Sequence, residues 1–229
     1  MLGTLEPKQA RLDEAARREG QRMLTLYCTP GTCALASHIA LEDAGADYVT
    51  KRLDFAAAEQ TKPEFLSINP KGRVPALLTP RGVLTETPAI LAFIAQSFPL
   101  AALAPLADAF AFAKLQAFNV YLCSTVHVAH AHRMRGYRWT DDPAAIEAMR
   151  AKVPETVGAC FALIEKTMFE GPWAMGASYS IADPYLFTLA RWLEADGVDP
   201  NGFPNVADHR RRMLERPAVQ RALAAESAA

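Results

Sequence analysis

No apolar run in the sequence is long enough to span a bilayer; proline, glycine or charge interrupts each candidate. Neither sign of charge dominates: 24 Lys and Arg against 25 Asp and Glu leave a net charge of -1. That balance argues against general affinity for nucleic acid or anionic membranes. Cysteine is scarce, with Cys28, Cys33, Cys123 and Cys160 forming no C-x-x-C pair and no zinc-binding spacing. Residues 1–22 offer no hydrophobic stretch for an export signal, and four acidic residues there disfavour an organellar transit peptide. They read as a poorly packed leader, with the fold beginning near Met23. The expected setting is cytoplasmic, with the thiols reduced and no metal bound.

What is present is an ordinary globular composition, 51% hydrophobic and 21% charged over 229 residues, with ample length to bury a core. From Met23 to about Phe98 the pattern alternates. Leu24–Cys28 reads as a buried strand, Cys33–Ala44 as an amphipathic helix closed by Gly45, and Tyr48–Leu53 as a second strand. A short helical stretch around Pro63–Ser67 follows. Val74–Leu78 and Val83–Thr85 flank a turn at Pro80-Arg81-Gly82, a hairpin signature, and Pro88–Gln96 is a further helix. This order predicts a small α/β domain with a mixed four-stranded sheet over 23–98. Pro99 and Pro105 punctuate a linker over 99–105. Residues 106–229 carry helical periodicity almost alone, in segments near 106–134, 143–169, 181–195, 206–215 and 217–226. The cleft between the two parts is the expected ligand site.

Chemistry concentrates at a few places. Cys33 follows a Pro-Gly turn where a helix begins, and a helix N-terminus favours the thiolate; packing is the alternative, since free cysteine is often buried. Val74-Pro75 opens a strand where a missing N–H is tolerated. Thr87 suits an N-cap with Pro88 as the first helical residue. The free N–H groups and the Thr87 hydroxyl suit a carboxylate, while Glu86 beside them suits an ammonium group. Together they fit the α-amino-acid end of a small molecule. Ser180-Ile-Ala-Asp183 is a capping box, in which the serine oxygen takes the N–H three residues on and Asp183 reaches back. His127 and His130 share a helix face and His132 points elsewhere; no carboxylate or thiolate stands nearby in sequence to complete a metal site.

Four motifs in order, Tyr27-Cys-Thr-Pro-Gly-Thr-Cys33, Asn69-Pro-Lys-Gly-Arg-Val-Pro75, Leu84-Thr-Glu-Thr-Pro-Ala-Ile90 and Ser180-Ile-Ala-Asp183, resemble the cytosolic glutathione S-transferases, most of all the bacterial beta class. The resemblance runs from Met23 to the C-terminus. It implies a thioredoxin-like N-terminal domain that binds glutathione, an all-α C-terminal domain and a homodimer. It also implies a cis bond before Pro75, with the Val74 backbone offered to the cysteinyl part of glutathione. Cys33 stands where the beta class has a glutathione-contacting cysteine, and His127 where a histidine projects toward it. Cys33 and His127 are thus the candidate catalytic residues, and Cys33, Val74, Pro75, Glu86 and Thr87 the candidate glutathione-binding set.

Two lysines of that family pattern are replaced, by Ala58 and Val128. Arg133 and Arg135 stand near enough in sequence to restore positive charge or to face solvent. The expected reaction adds the glutathione thiolate to a small apolar electrophile against a wall including Tyr121, Tyr137 and Trp139, with thiol-transferase or peroxidase side activity. A binding or regulatory protein without turnover, or a dehalogenase or isomerase, fits the same scaffold. Cys33 has two possible roles, donating a hydrogen bond to the glutathione sulfur or forming a mixed disulfide with it.

Overall fold

The computed structural model describes residues 24–228; the expected leader and Met23 lie outside the described residues. Strand β1 (Leu24–Cys28) runs parallel to β2 (Tyr48–Arg52), and helix α1 (Ala34–Ala44) forms the crossover between them. β3 (Ala76–Thr79) pairs antiparallel with β1 and with β4 (Gly82–Thr85), so the order is β2-β1-β3-β4. The tight turn at Gly82 makes the second antiparallel pair possible, because that residue sits at φ 131. Short helix α2 (Pro63–Leu66) precedes β3, and α3 (Thr87–Ser97) follows β4. The mixed sheet flanked by helices matches the expected α/β unit.

Helix α1 departs from the expected one-sided pattern. Residues Ala34 to Leu41 are all buried. Ala36, Ala40 and Leu41 join the core formed with Leu77 and Ile90, whereas Leu35 and Ile39 pack with Phe187, Met213 and Val219. A helix covered on both sides needs apolar residues all round, and the alanines let its neighbours approach closely. It thereby joins the sheet to the helical part, and its N-terminus, at Cys33, is fixed from both directions.

The rest is helical. α4 (Ala109–Tyr121), capped by Asp108, and α5 (His127–Arg135) form one rod interrupted by an i→i+5 turn at Leu122–Val126. α6 is Pro143–Leu163, α7 Ala182–Ala190, α8 Pro204–Glu215 and α9 Pro217–Ser227. Every residue of α7 is buried. Its first turn is held by Asp183, whose carboxylate accepts from the Ser180 N–H at 2.7 Å and the Ala174 N–H at 2.8 Å, and meets His209 Nε2 at 2.9 Å. The capping box is therefore present but altered. Ser180 Oγ accepts from Ala182, two residues on rather than three, at 3.3 Å, because the helix starts one residue after Ile181. Among the described residues no helix is long and apolar enough to cross a membrane.

Candidate active site

A cavity of about 520 Å³ opens between the sheet unit on one side and α5, the turn after it and α7 on the other. Cys33, Val74, Pro75, Glu86, Thr87 and His127 all line it, so the six candidate residues, from four separate stretches of sequence, are brought to one place.

The Cys33 end is set by local geometry. Gly31 turns the chain at φ 72, Thr29 Oγ1 donates to the Leu53 carbonyl at 2.9 Å, and Thr32 Oγ1 donates to the Thr29 carbonyl at 2.6 Å. The Cys33 thiol, beside the first turn of α1, donates to the Val74 carbonyl at 3.6 Å. Burial pushes this thiol up to about 11, and the neighbouring Thr87 hydroxyl and Arg135 charge offset that only in part. The expectation that the helix N-terminus would favour a thiolate is corrected here. Desolvation outweighs the end charge of one helix, so Cys33 is a protonated donor at neutral pH.

The Val74–Pro75 peptide is cis, which turns the Val74 backbone toward the cavity just ahead of β3. Beyond it, α3 begins at Thr87 with Glu86 as the capping residue. This shifts by one residue the expected arrangement of Thr87 as cap and Pro88 as first helical residue. The shift arises because Glu86 adopts φ 72, a left-handed conformation uncommon for a glutamate. Thr87 is buried while its helix end faces the cavity. The Glu86 carboxylate is already engaged by Lys71, whose ammonium also donates to Thr85 Oγ1 at 2.7 Å. Lys71 belongs to the Asn69–Pro75 motif, yet sequence gave no reason to pair it with Glu86.

On the opposite wall, His127 Nδ1 lies 3.4 Å from the Tyr185 hydroxyl, and its ring meets Trp192 edge-on. Burial, reinforced by His130 and the charges of Arg135, Arg138 and Arg73, lowers His127 to about 4. It is a neutral imidazole near pH 7. Its neighbours divide from it in role. His130 is buried and paired with Asp196, whose other oxygen forms an ion pair with Arg133 (Nε to Oδ1, 2.8 Å), and the His132 and Trp139 rings meet edge-on with centroids 4.4 Å apart. Among the described residues no group of three or more His, Cys, Asp and Glu is placed to hold a metal ion.

Of the expected apolar wall, Trp139 lines the cavity but Tyr121 and Tyr137 do not. Tyr121 lies before the i→i+5 turn, which adds a residue and rotates the following face relative to the preceding one; it sits against the core beside Cys160. Tyr137, in the turn after α5, is 60% exposed. Val128 is at the cavity, and Ala58 is not among its lining residues. Arginines occupy the space instead: Arg73, Arg135 and Arg138 line the cavity with Arg133. Arg73 and Arg138, with Tyr185 and Trp192, were not singled out by sequence, where a charged residue beside a helix most often faces water.

Comparison with known proteins gives a consistent result. Residues 22–96 match the glutathione S-transferase N-terminal domain, and residues 126–217 match the C-terminal domain. Glutathione S-transferase GstA of Escherichia coli O157:H7 is 32% identical over 206 residues, covering 89% of this chain and 98% of that protein. A glutathione transferase homolog from Sulfitobacter, solved with bound glutathione, shares 48% identity at a TM-score of 0.84, covering 86% of this chain and 95% of that one. A beta class glutathione S-transferase from Sphingomonas chungbukensis shares 33% identity at a TM-score of 0.78, covering 88% and 98% respectively.

Proposed function

The chain belongs to the glutathione S-transferase family, and we propose on that premise that it joins the glutathione sulfur to an electrophilic carbon within the cavity described above. The observation that carries this reading is the convergence of Cys33, Val74, Glu86, Thr87 and His127 on one cavity of about 520 Å³. Glutathione lies extended along the α/β unit. Its γ-glutamyl carboxylate meets the N–H groups at the start of α3 and the Thr87 hydroxyl. Its ammonium group meets Glu86 in exchange for Lys71, and its cysteinyl backbone pairs with Val74 on the approach to Pro75.

The sulfur then sits between Cys33 and His127. A glutathione thiol has an ordinary pKa near that of free cysteine, about 8.5, so the site must favour its anion. Cys33 serves as a neutral S–H donor to that anion. The His127 tautomer that accepts from the Tyr185 hydroxyl at Nδ1 keeps its other ring N–H as a second donor. Arg135 adds positive charge near the sulfur, in place of the lysine absent at Val128. Attack forms a carbon–sulfur bond, expels the leaving group with its electron pair, and releases the thiol proton to solvent. The protonated state of Cys33 favours the donor role over a mixed disulfide, because a thiol is a poor nucleophile.

A homodimer and a cytoplasmic setting accompany this reading. Leu100 and Phe110, which are 100% and 77% exposed, provide apolar surface for a second copy to cover, and light scattering on the purified chain measures that state. The function itself is tested by retention on immobilised glutathione followed by a conjugation assay with 1-chloro-2,4-dinitrobenzene. Retention with turnover supports it, retention without turnover favours a binding module, and neither overturns it.

A further inference from the structure

Arg73, from the loop before β3, and Arg135 and Arg138, from the end of α5 and the turn after it, meet around one cavity. Among the described residues none of the three forms an ion pair, whereas Arg133 beside them is paired with Asp196 and Lys71 with Glu86. Burial disfavours the charged form of Arg138, and Arg73 and Arg135 add to this, so the three are close enough to act on one another. Guanidinium groups gathered at a concave site, with Arg73 and Arg138 exposed at its mouth and Arg135 half-buried, give a positive potential that favours an anion. Glutathione supplies part of that anion. In the binding mode proposed above, the γ-glutamyl carboxylate and ammonium balance each other at Thr87 and Glu86, the thiolate falls near Arg135, and the glycyl carboxylate, continuing past Val74, is directed toward Arg73. Arg138 meets the Tyr137 hydroxyl and has no acidic partner among the described residues. Trp139, Met134 and Val128 line the same cavity, a surface for a flat apolar body.

We propose that the second substrate is an anionic electrophile, a halogen-bearing aryl framework carrying a carboxylate that Arg138 binds while the framework lies on Trp139. This rests on the glutathione transferase reading and narrows its substrate class from apolar compounds in general. The reaction balances as before: the thiolate carbon–sulfur bond forms, the carbon–halogen bond breaks, halide departs with the electron pair, and the substrate carboxylate is unchanged. Arginine suits this task because its planar fork holds both carboxylate oxygens.

The test compares 4-chloro-3-nitrobenzoate with the neutral 4-chloro-3-nitrobenzamide, each kcat/KM divided by its uncatalysed rate. Binding of the two corresponding glutathione conjugates is measured in parallel by quenching of tryptophan fluorescence. The proposal expects a preference for the carboxylate of about tenfold in both measurements, consistent with one charge-assisted contact. It expects the preference to vanish in Arg138→Gln and to persist in part in Arg138→Lys. Equal handling of the two compounds by the wild-type protein overturns the proposal and leaves the transferase reading intact. A preference that survives Arg138→Gln also overturns it. Failure to bind either conjugate, together with no turnover of either electrophile or of 1-chloro-2,4-dinitrobenzene, overturns the transferase reading as well.

Discussion

The Cys33 sulfur lies 3.6 Å from the Val74 carbonyl oxygen, so the start of α1 and the loop entering β3 are tied together by the thiol itself. In the proposed binding mode glutathione along Val74 presents its own sulfur in the same neighbourhood, and the Cys33 S–H then has a better acceptor in the thiolate. Loss of that donor removes one charge-assisted hydrogen bond. Cys33→Ala is therefore expected to lower kcat/KM for conjugation about 10- to 100-fold, the usual range for a bond to an anion. Cys33→Ser keeps an O–H donor and is expected to retain more activity than the alanine variant. Equal losses in both, together with a glutathione adduct on wild-type Cys33 in mass spectra, contradict the donor role.

His127 is held near pKa 4 by burial and by the surrounding positive charges. Its folded value lies below the unfolded one of about 6.5, so the unfolded chain binds more protons between those limits. Stability from this residue is complete above pH 6.5 and is lost as the pH falls toward 4, by up to about 3 kcal/mol. Urea titrations of wild type and His127→Gln between pH 4 and 7.5 measure this. The wild type is expected to show the steeper decline. In NMR the His127 ring is expected to show no titration above pH 5; a midpoint near 6.5 refutes the assignment.

Glu86 and Lys71 form a pair whose side chains are 57% and 44% exposed. Exposed pairs stabilise folds by about 0–1 kcal/mol, so Glu86→Gln is expected to leave the unfolding midpoint nearly unchanged. Its effect falls on glutathione instead, raising KM about tenfold by removing the acceptor for the ammonium group. An unaltered KM places the γ-glutamyl end elsewhere.

Asp183 has no exposure to solvent and holds two backbone N–H groups and His209. Asp183→Ala leaves those donors unsatisfied in the core and is expected to cost more than about 3 kcal/mol. Ser180→Ala removes one weaker cap and should cost about 0.5–2 kcal/mol. Denaturant unfolding of the two variants gives the comparison, and a reversal of this order shows that the serine is the principal cap.

Much of this was legible from residues alone. Leu24–Cys28 is apolar and β-prone, and the Pro80-Arg81-Gly82 turn forces β3 and β4 together; local chemistry of that kind survives in any tertiary setting. The convergence of Cys33, Val74, Glu86, Thr87 and His127 was legible through the family resemblance, because no local rule brings residues 33 and 127 together. Three features were hidden for physical reasons. Glu86 takes a left-handed backbone that propensity assigns to glycine or asparagine. The extra residue of the i→i+5 turn at Leu122–Val126 breaks the helical phase that would have placed Tyr121 on the wall. Desolvation of the Cys33 thiol depends on how deeply α1 is buried from both sides, which one helix's periodicity does not report.

In the proposed mechanism a neutral Cys33 stabilises the anion of bound glutathione. This is tested most directly by titrating the thiolate ultraviolet absorbance of glutathione bound to wild type and to Cys33→Ala across pH 5 to 10. The bound thiol is expected to have a pKa well below the ordinary value of about 8.5 in the wild type, moving back upward in the variant. A bound thiol that titrates like free glutathione in the wild type, or identically in both proteins, contradicts it.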